Sequence, residues 1–453
     1  MEDLTIYEVV KAANGSYGYP STEIVSDIST DTRKIKDGSV FIAIKGERFD
    51  GHDFAQKAME QGAVAVITDR AIENVKCIIV DDTKKALLDI ASYYRSRFSP
   101  ILVGVTGSVG KTTTKEMVAL VLSSKYCTLK TEGNFNNEIG LPHTLFGLSQ
   151  EHTAAVIEMG MSDFGEISAL SLTAKPTISV ITNIGYSHIE NLGSREGILK
   201  AKLEILDGAS QDAPLILNGD DDLLSTVKEK ISRNIIYYGI ENKDVDVSAS
   251  DIEMNNGSTT FTINYWEKSI SAKLSCVGLH NVSNALCAFC VGIMSDIKPE
   301  DIIKQLEMFL PEGLRQSIVK KGEQEIIIDC YNASPDSMKA SLSILSELKP
   351  MKKGRRIAVL GDMLELGSMS KKLHTLVGEY VAQSKTDILL CYGQDSKFIC
   401  EKANEMGLSN SKYFSDKLKL IEFLKEAIID GDLLLFKASR GIKLEEVIDE
   451  LYK

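Results

Sequence analysis

The sequence predicts an α/β protein of three domains. These are a smaller N-terminal α/β domain (1–98), a central doubly wound, mainly parallel sheet (99–312) and a C-terminal Rossmann-like domain (313–453). Three observations favour this. The 453 residues suffice for about three domains of ~150 residues. Short apolar runs alternate with helical stretches beyond residue 100, which is typical of parallel sheets. Ser99 and Pro100 mark the first boundary.

Composition narrows the functional class. Hydrophobic residues make up 43% and charged residues 25%, as in globular proteins that are not membrane-embedded. The N-terminus lacks a basic segment and no apolar run could span a bilayer, so we expect a cytoplasmic protein without membrane insertion. The formal charge of −13 argues against nucleic-acid binding. Cys287 and Cys290 lie in an apolar, helix-like run and are interpreted as buried thiols rather than a zinc site.

In the N-terminal domain, the segment 25–33 leads to an apolar run at 39–45, which precedes a polar loop at 46–53. A helix (54–61), two strands (63–68 and 77–80) and a closing helix (83–98) complete the predicted unit. The polar loops contain Arg33, Lys45 and His52. Considered alone, they fit solvated turns as well as a binding surface.

The central domain begins with a phosphate-binding loop. Residues 104–114 read Gly-Val-Thr-Gly-Ser-Val-Gly-Lys-Thr-Thr-Thr between an apolar strand and a predicted helix. Converging backbone N–H groups and the helix N-terminus would bind an anion. Lys111 would reach the terminal phosphates and the Thr112 hydroxyl would hold Mg²⁺. The generic pattern has glycine where this chain has Val105, and the alternative is an ordinary strand-to-helix turn.

Polar residues follow further predicted strands of this domain. Glu158 closes the strand at 154–158, and His188 and the Asp220–Asp222 run follow the strands at 177–182 and 214–218. Ligands of such sheets bind at the C-terminal ends of the strands, where a carboxylate suits Mg²⁺. The alternatives are a cap or loop carboxylate, a hydrogen-bonded loop histidine and a solvated acidic cap. Residues 245–276 alternate in polarity and predict a small antiparallel appendage.

The C-terminal domain repeats the alternation, with predicted strands at 324–329, 356–361, 387–392 and 432–436. It lacks a Gly-x-Gly-x-x-Gly motif, so a nicotinamide cofactor is not indicated.

Together these stretches resemble the Mur ligases, the ATP-dependent amide-forming enzymes of peptidoglycan precursor synthesis. The resemblance covers all three domains. The matching motifs are Thr-Gly-Ser-Val-Gly-Lys-Thr (106–112), Glu-Met-Gly (158–160), Thr-Asn-Ile-Gly-Tyr-Ser-His (182–188), Lys-Ala-Lys-Leu-Glu (200–204), Gly-Leu-His-Asn (278–281), Arg315, Asp-Cys-Tyr-Asn-Ala-Ser-Pro (329–335) and Lys-Ala-Ser-Arg-Gly (437–441). Val109 stands where the family usually has asparagine, and Ala438 where it usually has glycine.

Within the family, residues 133–142, 331–337 and 360–367 resemble the member that adds D-alanyl-D-alanine to UDP-N-acetylmuramoyl-tripeptide. The Asp-Asn-Pro-Arg motif of the preceding, diamino-acid-adding ligase is absent from the sequence. Another Mur-type ligase and a folylpolyglutamate synthetase-like ligase are the alternatives within the enzyme class. A nucleotide-driven binding or transport ATPase and a regulatory nucleotide-binding protein are the alternatives outside it.

The resemblance implies a role for each site residue. Lys111, Glu158, His188 and Lys202 would be catalytic, and Thr112, Glu158, His188 and Lys202 would serve two Mg²⁺ sites. ATP would meet Thr106, Gly107, Ser108, Val109, Gly110, Lys111, Thr112, Thr113, Asn137, Asn281, Arg315 and Asp329. The uridine diphosphate part would meet Ser29, Thr30, Asp31, Arg33, Lys45, Asp50, Gly51 and His52, and the C-terminal domain would offer Asn332 and Ser334 to D-alanyl-D-alanine.

The resemblance also implies that Lys202 is carbamylated, because an ammonium near Mg²⁺ would be repelled. The alternative is a lysine on the solvated face of an amphipathic helix. The implied partners are small molecules only (ATP, the UDP-linked tripeptide and D-alanyl-D-alanine), and a monomer is expected.

Overall fold

Three mainly parallel sheets, each covered by helices, organise the chain. The computed structural model describes residues 1–20, 22–46, 49–255, 257–311 and 316–453. Within those residues, no helix is both long enough and apolar enough to cross a membrane. The predicted α/β fold class is confirmed.

The first sheet has five described strands in the order β2-β7-β6-β5-β4, and a two-stranded sheet pairs β1 with β3. Only the β2–β7 pair of the larger sheet is antiparallel. The elements are β1 (Leu4–Thr5), α1 (Ile6–Ala12), β2 (Ser16–Tyr17), β3 (Ile24–Val25), β4 (Asp27–Ser29), β5 (Ser39–Ile42), α2 (Ala55–Glu60), β6 (Ala63–Thr68), β7 (Cys77–Ile79) and α3 (Thr83–Arg95).

The second sheet has nine described strands in the order β16-β15-β14-β13-β12-β11-β8-β10-β9. Its elements are β8 (Ile101–Thr106), α4 (Lys111–Leu122), β9 (Thr128–Lys130), α5 (Gly140–Leu145), β10 (Ala154–Glu158), α6 (Glu166–Ala174), β11 (Ile178–Ile181), α7 (Ile189–Leu192), α8 (Arg195–Leu203), β12 (Leu215–Asn218), β13 (Ile235–Gly239), β14 (Val247–Asn255), β15 (Ser258–Tyr265), β16 (Lys268–Leu274), α9 (Leu279–Met294) and α10 (Pro299–Glu307).

The burial of its strands agrees with their positions in this sheet. Strand β10 is buried along its whole length and β8 everywhere except Ile101, as expected for central parallel strands covered on both faces. The predicted strands at 154–158, 177–182 and 214–218 are confirmed as β10, β11 and β12. Because β8 and β10 are neighbours in parallel, the phosphate loop and Glu158 emerge at the same sheet edge.

The predicted antiparallel appendage was wrong in one respect. Strands β14, β15 and β16 pair antiparallel with one another, but β14 also pairs in parallel with β13. The alternating segment therefore extends the central sheet rather than forming a separate unit. Helix α9 contains Cys287 and Cys290, and both are buried free thiols, as their apolar, helix-like run predicts.

The third sheet has six described strands in the order β17-β18-β22-β19-β20-β21, of which only the β17–β18 pair is antiparallel. Its elements are β17 (Ser317–Lys321), β18 (Gln324–Asp329), α11 (Pro335–Glu347), β19 (Arg356–Gly361), α12 (Ser370–Gln383), β20 (Ile388–Tyr392), α13 (Lys397–Glu405), β21 (Ser411–Phe414), α14 (Lys417–Ala427), β22 (Leu433–Lys437) and α15 (Glu445–Leu451).

Candidate active site

A cavity of about 680 Å³ lies where the central and third sheets meet. Its walls come from the phosphate loop, the ends of β10 and β11, the start of α9 and the β18–α11 connection. The sequence-predicted residues that line it are Ser108, Val109, Gly110, Lys111, Thr113, Asn137, Glu158, His188, Asp329, Asn332 and Ser334.

The phosphate loop is held open by glycine conformations and side-chain anchors. Gly107 has a φ of +151° and a Cβ there would lie 1.8 Å from Thr182 Oγ1, so only glycine fits. The Asn183 side chain accepts from the Val109 N–H at 2.9 Å. Lys111 begins α4 and donates from Nζ to the Gly107 carbonyl at 2.8 Å. The loop is thus the strand-to-helix phosphate cradle that the sequence predicts.

Glu158 is the centre of a hydrogen-bond network behind this loop. Its carboxylate accepts from Thr112 Oγ1 at 2.9 Å and from Asn136 Nδ2 at 2.8 Å. Its backbone N–H donates to Thr131 Oγ1, and the Thr131 carbonyl accepts from buried Lys115 at 2.7 Å. Glu158 ends a strand and begins no helix, so it is not a cap. Two hard oxygen donors 2.9 Å apart at a phosphate cradle fit Mg²⁺.

Lys202 lies in the last turn of α8 and is 2% exposed, so the solvated-face alternative is wrong for it. Neighbouring Lys200 is exposed. Burial, reinforced by the charge of Lys111, holds the pKa of the Lys202 ammonium well below its usual range. Within the described residues, Lys202 does not reach the cavity wall. The structure therefore offers a buried, readily deprotonated amine behind the phosphate loop.

His188 lines the cavity from the loop after β11. The Ile184 N–H of this loop donates to Asp221 and the Gly185 N–H to Ser108 Oγ. The imidazole itself meets the third sheet's domain, since Nδ1 lies 2.8 Å from Glu365 Oε2. Asp221 thus has a structural role within the acidic run that the sequence interpretation treated as a solvated cap.

Asn281 is placed differently from the expectation. Its side chain is 1% exposed and donates to the Val277 carbonyl at 2.8 Å, so it turns away from the cavity. Asn284, one helical turn later, lines the cavity instead and accepts from Thr114 Oγ1 at 3.1 Å. Asn281 and Asn284 are three residues apart and share a face of α9, so the difference lies in side-chain orientation, because the Asn281 amide turns back to Val277.

From the third sheet, Asp329 and Lys437 enter the same cavity as a buried ion pair, with Nζ and Oδ2 2.6 Å apart. Lys437 also donates to the Asn332 carbonyl at 2.9 Å. Ser334 caps α11 through a hydrogen bond from the Ser337 N–H. The predicted ATP residue Arg315 lies outside the described residues.

The predicted uridine-diphosphate residues form two loops of the first unit and do not line this cavity within the described chain. Arg33 pairs with Asp31 and holds the pKa of that carboxyl at about 2. Thr30 Oγ1 lies 3.0 Å from His143 Nε2 of α5, so this loop adjoins the central domain. Of the remaining predicted residues, Ser29 and His52 are buried, and His52 contacts Asp50 and Asp69. Lys45 and Asp50 form an isolated antiparallel β-bridge, and Gly51 follows Asp50.

Sequence reasoning missed several residues of the site. Asn136 precedes the predicted Asn137, and Lys115 belongs to the phosphate-loop helix, but neither position carries a distinctive motif. Lys437 lay in a quoted motif without a role, and its pairing with Asp329 joins strands far apart in the chain. Glu365 lay in the 360–367 motif, and its contact crosses between sheets.

Comparison with known proteins agrees with this arrangement. Residues 105–292 match the family model "Mur ligase middle domain", residues 314–440 match "Mur ligase, glutamate ligase domain", and residues 25–95 match "Mur ligase family, catalytic domain".

Relatives match over nearly the full length. The chain is 41% identical to the UDP-N-acetylmuramoyl-tripeptide–D-alanyl-D-alanine ligase of Bacillus subtilis, covering 99% of this chain and 98% of the relative. It is 34% identical to the enzyme of the same name from Escherichia coli, covering 100% and 99%.

Solved structures agree. A crystal structure of MurF from Acinetobacter baumannii is similar with a TM-score of 0.93 and 31% identity, covering 100% of this chain and 99% of that one. A MurF ligase from Thermotoga maritima in complex with ADP has a TM-score of 0.85 and 30% identity, covering 94% and 97%. With family models matching each of its three units and relatives matching it end to end, the chain belongs to the Mur ligase family.

Proposed function

We propose that the chain is an ATP-dependent ligase that adds D-alanyl-D-alanine to UDP-N-acetylmuramoyl-tripeptide in peptidoglycan precursor synthesis. The observation that carries the proposal is the pairing of Thr112 with Glu158 at the phosphate loop, because Glu158 lines a cavity that also receives Asp329 and Lys437 from the third sheet. A nucleotide bound there meets two domains at once. The full-length similarity to ligases of that name supports the choice of substrates.

To form an amide, the enzyme must first activate the terminal carboxylate of the tripeptide, because direct attack by an amine would have to expel hydroxide, which is a poor leaving group. The terminal carboxylate of the tripeptide attacks the γ-phosphorus of ATP, giving an acyl phosphate and ADP. The dipeptide amine then attacks the acyl carbon, and phosphate leaves with one former carboxylate oxygen. Both partners of the first step are anions, so neutralisation and alignment dominate its barrier. Lys111 and the loop N–H groups supply that neutralisation.

We infer that Thr112 and Glu158 would hold a Mg²⁺ ion at the phosphates, as their oxygen chemistry and burial suit this ion. When bound, Mg²⁺ supplies Lewis-acid neutralisation of the reacting oxygens. Asn136 orients the Glu158 carboxylate through its second oxygen. We propose that His188 and carbamylated Lys202 would support a second Mg²⁺ ion.

We infer a carbamate on Lys202 because its buried amine is easily neutral. The neutral amine adds to CO₂, one N–C bond forms, one C=O π bond opens and one proton leaves, so a neutral amine becomes a carbamate anion near Lys111. Lys202→Ala should then lose most activity, and formate or acetate should restore part of it. With ¹³CO₂, a carbamate carbon signal should appear in the wild-type protein and vanish in Lys202→Ala. Full activity of Lys202→Ala in bicarbonate-free buffer would defeat this inference.

We further infer that Asn332 and Ser334 contact D-alanyl-D-alanine, and that the loops at 29–33 and 45–53 hold the uridine diphosphate. The monomeric state implied by the family resemblance is part of the same proposal. ATP and nucleotide-linked sugars are cytoplasmic metabolites, which supports a cytoplasmic location.

The test is a phosphate-release assay with omission of each substrate, paired with mass analysis of the product. We expect phosphate only when ATP, UDP-linked tripeptide carrying lysine or diaminopimelate, and D-alanyl-D-alanine are all present, with a product heavier by the dipeptide minus water. ATP turnover that ignores D-alanyl-D-alanine would instead indicate a transport or binding ATPase. Product formation with glutamate in place of the dipeptide would indicate a folylpolyglutamate synthetase-like ligase.

A further inference from the structure

The contact between His188 and Glu365 joins the cavity to the third sheet's domain. Nδ1 of the imidazole and Oε2 of the carboxylate are 2.8 Å apart, with side-chain exposures of 20% and 63%. A polar contact this exposed contributes little stability by itself. The contact matters for the site because one of its two members, His188, lines the cavity.

The three residues that precede Glu365 are each anchored by hydrogen bonds. The Asp362 carboxylate, 6% exposed, accepts from the backbone N–H groups of residues 394, 395 and 396. The Met363 N–H donates to His374 Nε2 at 3.0 Å and the Leu364 N–H to Ser439 Oγ at 3.0 Å. Glu365 therefore projects from a fixed loop rather than a loose one.

Both contacting residues adopt left-handed backbone conformations, with φ of 62° at His188 and 63° at Glu365. Non-glycine residues rarely adopt this conformation, and it persists where surrounding structure imposes it. Just beyond each residue the two loops touch, because a Cβ on Gly367 would lie 2.9 Å from Glu190 Cγ.

A second contact docks the same two domains without Glu365. The Tyr186 N–H donates to Asp336 Oδ2 at 3.3 Å, and this carboxylate also lies against Gly185. Asp336 therefore docks the two domains independently of Glu365, so a mutation of Glu365 can test the orientation of His188 without removing the Asp336 contact.

We propose that Glu365 is a positioning residue for His188. Accepting the Nδ1 hydrogen bond fixes the ring plane and leaves Nε2 as the nitrogen available to the cavity. Because the carboxylate belongs to the third sheet's domain, His188 is oriented only while that domain is docked. The catalytic consequence rests on the proposed function, whereas the orientation itself does not.

The kinetic test compares Glu365→Ala, Glu365→Gln and a control, Glu401→Gln, an exposed carboxylate of the same domain on α13. Glu365→Ala should lower kcat about 10–100-fold, as loss of a supporting partner does elsewhere, with an unchanged KM for ATP. Glu365→Gln keeps an acceptor oxygen and should recover most of the rate, and Glu401→Gln should match wild type. Wild-type kcat in a folded Glu365→Ala enzyme would overturn the proposal.

A double-mutant cycle then asks whether the effect passes through His188. In a His188→Ala background, Glu365→Ala should cost no further activity, because the group that it orients is gone. An equal fold-loss in both backgrounds would mean that Glu365 acts elsewhere, and would overturn the proposal.

Nitrogen NMR supplies a readout that needs neither substrate nor metal. In protein with ¹⁵N-labelled histidine at pH 8.5, about two units above an ordinary histidine pKa, His188 should carry its proton on Nδ1 in wild type. Its signals are assigned by their loss in His188→Gln. In Glu365→Ala they should shift towards the Nε2-protonated form. Identical tautomer signals in the two proteins would contradict the orientation role, even if the ligase assignment holds.

Discussion

A lysine ammonium out of reach of water must lose its proton or bear a large desolvation cost. Lys202 is 2% exposed, and the charge of Lys111 adds to the effect of burial. Its folded-state pKa is therefore well below the unfolded value near 10.5. This is the state in which an amine reacts with CO₂, so burial of one side chain prepares the proposed modification.

The same shift predicts a pH dependence of stability. Between the folded and unfolded pKa values of Lys202 the unfolded chain binds one more proton, so stability from this group rises with pH, by about 1.4 kcal/mol per pH unit. Lys202→Met should stabilise the metal-free protein in CO₂-free buffer at neutral pH, and the gain should shrink as pH approaches 10.5. Denaturant unfolding at several pH values measures this.

The control for that experiment is Lys200→Met, which changes an exposed lysine of the same helix. Its difference from wild type should not depend on pH. A pH-independent difference for Lys202→Met as well would show that Lys202 is charged in the folded protein.

Lys111 provides the next prediction at this scale. Lys111→Ala should retain the fold, because Lys111 is a half-buried residue at the start of α4, outside the hydrophobic cores, and its Nζ donates to carbonyls of the phosphate loop. It should lower kcat by about 10²–10³, the usual cost of one preorganised electrostatic donor. Circular dichroism checks the fold and phosphate release the rate. Near-native activity of the folded Lys111→Ala variant would show that the phosphate-loop lysine takes no part in the reaction.

Residues at a strand end could be predicted, and residues on a helix were harder. Glu158 follows from an apolar run that stops at a carboxylate, so sequence alone placed it at the sheet edge. The choice between Asn281 and Asn284, which share a face of α9, depends on the Asn281 hydrogen bond to Val277, which no local pattern encodes. The burial of Lys202 likewise depends on packing from other elements.

At the scale of elements, two helices offer a matched comparison. Gly110 and Gly165 are the N-caps of α4 and α6, and both have a φ of 84°. A Cβ on Gly110 would lie 2.9 Å from Asn284 Oδ1, whereas a Cβ on Gly165 meets nothing within 4 Å. The two positions share backbone strain but differ in what surrounds them.

We therefore expect Gly110→Ala and Gly165→Ala each to lose roughly 1–2 kcal/mol of stability from the left-handed conformation. Only Gly110→Ala should also raise the KM for ATP, because it displaces Asn284 from the cavity wall. Denaturant titration and ATP kinetics on both variants test this. An equal change of the KM for ATP in the two variants would show that Asn284 does not contribute to nucleotide binding.

Element prediction succeeded where the pattern is local. The strands predicted from apolar runs were β8, β10, β11 and β12 of the central sheet and β18, β19, β20 and β22 of the third. Strands β9, β13, β17 and β21 were not predicted. The hairpin segment was predicted as a separate appendage because its alternation is correct for antiparallel strands, but the parallel β13–β14 pairing that joins it to the sheet is a tertiary contact. Strand order in general depends on such contacts.

At the scale of the whole molecule, the cavity is complete only when the third sheet's domain is docked. The docking contacts described above include two polar ones, Tyr186 with Asp336 and His188 with Glu365. Such interfaces favour relative domain motion. We expect the radius of gyration from small-angle scattering to fall when a non-hydrolysable ATP analogue and UDP-linked tripeptide are added. An unchanged radius at saturation would count against ligand-driven closure.

The central claim is that this cavity transfers a phosphoryl group to a carboxylate before amide formation. The most direct measurement places ¹⁸O in the terminal carboxylate of the UDP-linked tripeptide and follows the label through one round of ligation with D-alanyl-D-alanine. The account predicts a single ¹⁸O in each released phosphate, because one carboxylate oxygen leaves with the phosphoryl group. Unlabelled phosphate, or label appearing in AMP, would contradict it.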